Sequence, residues 1–159
     1  MIDVSSLVHL HHTELERSLD VLTGATSEAT QRLALEGLSL GLPAHAEAEA
    51  TALGLALDGL SPPPLVYLLC SQLAAAHAAQ QAVLVGLRAT RCGSIAWRER
   101  AGQLRALIIN HDEHEAACVI PALRDYLPRT HYDQLAGCYA TARLYSLVAM
   151  PFEGQLADR

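Results

Sequence analysis

This chain of 159 residues predicts an all-α fold, a four-helix bundle running up, down, up and down, with an extra helix at the C-terminus. Three observations carry the prediction. Hydrophobic residues make up 51% of the chain but aromatics only 4%, so a core must be built of Leu, Ala and Val, which suits helix-on-helix packing. Apolar residues recur at spacings of three and four, the period of a helix with one buried face, and no β-branched or aromatic runs mark strands. Breaks near Gly24, Gly59, Gly93 and Pro128 divide the pattern, and the short connections between segments favour antiparallel neighbours.

The first helix is expected from about Asp3 to Thr23, with Val8, Leu15, Leu19 and Leu22 as its stripe, Ser5 or Ser6 as cap and Thr23-Gly24 as stop. The second starts near Ser27, a plausible N-cap, and ends near Asp58-Gly59. Its core face reads Leu38, Leu42, His45, Glu49, Ala52, Ala56. Pro43 lies inside this span, where the ring removes a hydrogen bond, so a kink before His45 or a new helix starting at Pro43 is expected. Pro62-Pro63-Pro64 is a stiff linker that opens the third helix, from about Pro64 to Thr90, with the face Cys70, Leu73, His77, Gln81, Leu84. Leu65 to Leu87 carries no charged residue and is long enough to span a bilayer, but its His, Ser and Gln residues favour a fully buried bundle helix. Ser94, after Cys92-Gly93, caps a fourth helix from about Ile95 to Tyr126, whose face reads Leu104, Ile108, His111, Glu115, Cys118, Ala122. A fifth, less patterned helix from about Thr130 to Val148 packs on the outside or forms a subunit contact, and Pro151 ends it. Residues 1–127 are thus the bundle, and 128–159 a helix and tail packed on the same domain.

Imidazoles and carboxylates interrupt these apolar faces. His45 and Glu49, and again His111 and Glu115, are four residues apart, so each pair shares one helix face. A buried imidazole or carboxylate is costly unless a hydrogen-bonding partner or a metal ion compensates it. His77 lies on the third helix's face. On the first helix His11 and His12 are about equally far from the stripe's centre, and periodicity does not choose between them. Four helices each bringing an imidazole to one interior point to a metal. In an up-down-up-down bundle the second and fourth helices run parallel, so Glu49 and Glu115 face each other and can bridge two ions. Imidazole and carboxylate without thiolate suit iron, zinc or manganese, and two bridging carboxylates with open positions favour two irons. No Glu stands three residues before any His, which sets aside the ferritin-like signature. His114 falls on the flank of its helix and His131 on the surface.

His111 with Glu115 four residues on and Pro121 ten residues on, His45 with Glu49, and His77 alone on the third helix together resemble the hemerythrin-like family of HHE cation-binding domains. The resemblance spans about Leu7 to Pro121. The family's first-helix pattern, a His followed by apolar residues at +3, +7 and +10, is met by His12 with Leu15, Leu19 and Leu22, and not by His11. It implies the ligand set His12, His45, Glu49, His77, His111 and Glu115 around two carboxylate- and oxo-bridged irons. Oxygen carriers of the family have a second His where this chain has Gln81, which leaves a coordination position for water, a Tyr or a diatomic ligand. The paired Glu-Glu of many members is here Glu49-Ala50 and Glu115-Ala116, and Ala76 precedes His77.

The expected function is binding or sensing of O2, NO, peroxide or iron. Alternatives are an enzyme turning over peroxide or nitrogen oxides, and a structural bundle with little metal. A net charge of -6 without a Lys/Arg block argues against nucleic acid and anionic membranes as partners. No signal-peptide pattern and no CxxC spacing among Cys70, Cys92, Cys118 and Cys138 lead to an expected cytoplasmic location with free thiols. Cys70 and Cys118, each seven residues from a ligand His, are expected near one core layer, where they could meet as a redox-sensing pair. A homodimer through the C-terminal helix is a further expectation.

Overall fold

The computed structural model describes residues 3–149, and among these there is no strand. The helices are α1 (Val4–Gly24), α2 (Glu28–Leu57), α3 (Pro64–Arg88), α4 (Ile95–His114), α5 (Ile120–Tyr126) and α6 (Arg129–Ala149). A π-helical turn, Glu115–Val119, joins α4 to α5, so these form one helical run. Local chemistry sets the ends. Ser27 and Ser94 cap α2 and α4, their hydroxyls accepting from the backbone N–H groups of Thr30 and Trp97. The connection after α2 turns at Gly59 and that before α4 at Gly93, both with φ near +70°, where a β-carbon would be strained. Pro64 sits in the first turn of α3, where no N–H is needed. Asp3, rather than Ser5 or Ser6, precedes α1, and its side chain makes no capping bond. Helix α2 runs through Pro43 without a break, so no helix starts there. The expected stop at Pro151 lies outside the described residues.

Helices α1 and α2 pack together, α3 packs on α2 and α4, and α4 closes against α1. Two apolar clusters fill the interior. One contains Leu15, Leu19, Leu38, Leu42, Leu84, Leu104 and Ile108. The other contains Val8, Ala52, Leu73, Val119, Leu123 and Leu135. Each fully buried Leu contributes roughly 1.5–3 kcal/mol through removal from water. Along α1 the chain passes from the second cluster to the first, along α2 back again, along α3 to the first, and along α4 to the second. All four cross the boundary at their histidines.

Three expectations are corrected. Helix α3 is not fully buried: Val66, Leu69, Leu73, His77, Gln80, Leu84 and Leu87 face inward, while Leu65, Tyr67, Leu68 and Val85 are exposed. It is long and apolar enough to cross a membrane by length and composition, yet it is an outer wall of the bundle with one buried face. Its buried amide is Gln80, not Gln81. Helix α6 lies along α2 and touches α1, burying Tyr132, Leu135, Tyr139 and Ala142, and the second correction concerns a residue at its start. His131 is half-buried, and its Nδ1 donates to the carbonyl of Ala56 at 3.0 Å, tying α6 to the end of α2.

The third correction is a change of register. Beyond Glu115 the expected inward residues were Cys118 and Ala122, but Val119 and Leu123 are buried and Cys118 is exposed. A π turn closes its hydrogen bond one residue later than an α turn, as the Ile120 N–H does on the Glu115 carbonyl, and so inserts one residue into the pattern. Every inward position after Glu115 moves on by one. The π turn stands immediately before α5, where Pro121 has no N–H to give and its ring would crowd the carbonyl of Ala117 in a straight α-helix. The proposed Cys70–Cys118 pair loses its basis, since Cys118 faces solvent while Cys70 is half-buried.

Candidate metal centre

Between the two apolar clusters lies a layer of polar side chains. His12 from α1, His45 and Glu49 from α2, His77 from α3, His111 from α4 and Glu115 from the π turn are all buried. The structure brings the six together. Nε2 of His12 lies 2.9 Å from Nε2 of His45, and Nε2 of His77 lies 3.2 Å from Nε2 of His111. The imidazoles therefore form two pairs, α1 with α2 and α3 with α4. Glu49 spans them: Oε1 is 2.9 Å from His45 Nε2, and Oε2 is 3.2 Å from His77 Nε2 and 3.8 Å from His111 Nε2. Glu115 also spans them, with Oε2 3.8 Å from Nε2 of both His12 and His111.

The donor atoms fit a metal ion. Two nitrogens each bound at about 2.1 Å to one ion stand about 3.0–3.4 Å apart at octahedral or tetrahedral angles. Both observed pairs are close to that range. Both oxygens of Glu49 and Oε2 of Glu115 are fully enclosed, with only the clustered imidazoles and each other to answer them. Two buried carboxyls among neutral rings are costly, and a cation between them is the natural compensation. One ligand atom from each of His12, His45, Glu49 and His111 falls within 4.8 Å of the others. This buried group could hold a metal ion.

Electrostatics prepare the same chemistry. Burial lowers the pKa of His12 to about 4 and of His111 to about 3, so both are neutral at pH 7 and offer lone pairs. Burial works to raise Glu49, but the imidazoles of His45 and His77 outweigh it and hold that carboxyl well below its ordinary value. Burial and the charge of Glu49 push Glu115 well above its own. Two carboxyls facing each other without a cation cannot both ionise cheaply.

Outer partners hold the rings. Asp112 Oδ1 accepts from His12 Nδ1 at 2.8 Å, and Asp112 Oδ2 lies 3.2 Å from Nδ1 of the exposed His9. A carboxylate fixing the far nitrogen of an imidazole is the usual support of a metal-binding histidine. On α6, the Tyr139 hydroxyl lies 2.7 Å from Nδ1 of His45 and 2.7 Å from Nδ1 of His11. Arg143, one turn further, pairs with Glu14 at 3.0 Å and holds α6 against α1.

Sequence reasoning missed Tyr139, Asp112 and the place of His11. Tyr139 carried only the signal of a weak amphipathic helix, and Asp112 was hidden beside His111, although it reaches another helix. His11 and His12 are both buried, but only His12 joins the cluster, while His11 turns toward Tyr139. His114, expected on the flank, is half-buried, with its Nε2 enclosed and unpartnered.

A cavity of about 20 Å³ opens on Glu49, Glu115 and Tyr139, its other walls being apolar, among them Val8, Ala52 and Leu53. A larger cleft of about 350 Å³ lies elsewhere, between Asp3, Arg124, Arg129 and Asp133. Its charges already answer one another, Arg129 with Asp133 at 2.9 Å and Arg124 with Asp3 at 4.0 Å, and it contains none of the clustered residues. The smaller cavity is the one beside the chemistry.

A scan against protein-family models finds no match for this chain, and searches of curated proteins and of solved structures find none. What stands is a fold that is all-helical among the described residues, with a buried His/Glu cluster that could hold a metal.

Proposed function

We propose that the protein is a hemerythrin-like, HHE-type metal protein whose centre holds two irons and binds or senses a small oxidant or diatomic molecule such as O2, NO or peroxide. Two imidazole pairs straddled by two carboxylates support a dinuclear site, in which His12 and His45 would hold one ion, His77 and His111 the other, and Glu49 and Glu115 would reach both. The alternating order of the two apolar clusters along α1 to α4 supports an up-down-up-down bundle. Nitrogen and carboxylate donors without thiolate suit iron, which when bound supplies reversible electron transfer and open positions for a ligand.

One observation carries the ligand class. The cavity touching Glu49 and Glu115 measures about 20 Å³. A single water needs about 10–15 Å³ measured in this way. The space therefore suits a water or a diatomic molecule, and its apolar walls favour the weakly polar one. Tyr139 is the polar group at its edge.

Nitric oxide titration of the iron(II)-loaded protein tests this reading. Wild type is expected to bind NO with a new visible absorption. Ala52→Val, which adds two methyl groups to the cavity wall, is expected to keep its iron and to lose most NO binding. Equal NO binding by both would contradict the assignment of the cavity.

A further inference from the structure

The phenol of Tyr139 sits between two imidazole nitrogens, Nδ1 of His45 and Nδ1 of His11, each 2.7 Å away. A phenol has one proton to give, so it donates to one ring and accepts from the other. Which way round this runs follows from the far side of His45. Asp112 accepts from His12 Nδ1, which leaves the lone pair of the neutral His12 on Nε2. Without metal, the 2.9 Å contact between His12 and His45 then requires the proton to be on His45 Nε2. His45 Nδ1 is consequently an acceptor. Tyr139 donates to His45, and His11 Nδ1 donates to Tyr139.

A metal on His45 Nε2 reverses both bonds of the Tyr139 hydroxyl and leaves the His12–Asp112 bond as it is. His45 must carry its proton on Nδ1 and donate it to Tyr139, and Tyr139 must donate to His11 Nδ1. We infer that His45, Tyr139 and His11 form a proton relay whose direction is set by metal occupancy, with Tyr139 as the positioning residue that couples the centre to the edge of the protein. This rests on the metal reading above.

Atoms balance. As the metal enters, the His45 Nε2 proton leaves to solvent. The Tyr139 proton passes to His45 Nδ1, the His11 Nδ1 proton passes to Tyr139, and His11 Nε2 takes one proton from water. Each ring stays neutral, and no electron moves. His45 is fully buried, Tyr139 is 1% exposed and His11 is 7% exposed, so the chain leads outward in that order.

Nitrogen-15 NMR of the histidine rings tests the relay, with Zn(II) as a redox-silent probe. On zinc loading of wild type, His45 is expected to change from the Nε2–H to the Nδ1–H tautomer, and His11 from Nδ1–H to Nε2–H. In Tyr139→Phe, His45 still changes but His11 does not, and zinc binds about 10–100-fold more weakly, the usual effect of removing an outer partner. If wild type binds zinc through His45 while His11 keeps its tautomer, or if Tyr139→Phe binds zinc as tightly as wild type, the relay is overturned and the metal centre stands. If wild type binds no zinc at the cluster, the metal reading itself fails, and the relay with it.

Discussion

Nε2 of His12 and Nε2 of His45 stand 2.9 Å apart although 33 residues of chain separate them. The same contact recurs between His77 and His111 at 3.2 Å. Each pair joins neighbouring helices at the level where two apolar clusters meet. At this layer polar groups from different helices face one another, backed by Asp112 and Tyr139 on the outer side of the first pair.

Asp112 is the outer support of the first pair. Asp112→Ala removes the acceptor from His12 Nδ1 and frees that ring to change tautomer. Metal affinity is expected to fall about 10–100-fold with the helical content unchanged. Competition with a chromophoric chelator measures it, and an unaltered affinity would show that His12 is held by packing alone.

The metal-free protein should be sensitive to mild acid. His12 and His111 have folded pKa values of about 4 and about 3, below the unfolded value of 6.5. Their contribution is fully present above pH 6.5 and is lost as pH falls toward the folded values, because the unfolded chain binds the protons first. Each contributes up to about 1.4 kcal/mol per pH unit in that window. Glu115 opposes them: its folded pKa is raised, so its effect on stability improves as pH falls toward 4.5. Urea denaturation of chelator-treated Glu115→Gln at pH 7.5, 6.5 and 5.5 should show the histidine loss undiminished, with a steeper decline than wild type.

The same substitution separates stability from binding. At pH 7.5, Glu115→Gln removes the cost of burying a second ionisable carboxyl beside Glu49 and is expected to stabilise the metal-free protein, an advantage that shrinks as pH falls. It should also weaken metal binding, since an amide bridges two cations poorly. Thermal melts with and without added metal would show the opposite signs. A variant less stable than wild type without metal would mean that Glu115 has a partner other than a cation.

The π turn makes two neighbouring residues behave oppositely. Val119→Ala, in the core, should cost about 1–3 kcal/mol. Cys118→Ser, in solvent, should cost almost nothing, and native Cys118 should react with a thiol reagent faster than Cys70. The reverse order of reactivity would place the register back on an unbroken α-helix.

Much of this site is legible in local spacing. His45 with Glu49 and His111 with Glu115 declare themselves because residues four apart share a helix face, and the apolar stripes around them say which face is buried. His77 follows from its own stripe. The one-residue shift after Glu115 is not legible in the same way: hydrophobic periodicity assumes a constant 100° per residue, and Ala116, Ala117 and Cys118 are all small enough for either face. Pro121 was the physical hint. Tyr139 lies 94 residues from His45 and 128 from His11, and no local pattern encodes a contact of that range. Between His11 and His12 the helix period alone offers no choice, because both rings are buried and only their partners differ.

Metal content of the purified and iron-reconstituted protein, with an absorption spectrum of the same sample, tests the central claim most directly. Close to two irons per chain, with near-ultraviolet charge-transfer bands that disappear in His111→Ala, is the expected result. A folded helical protein that retains no metal after reconstitution, or a His111→Ala variant that keeps its full complement, would contradict it.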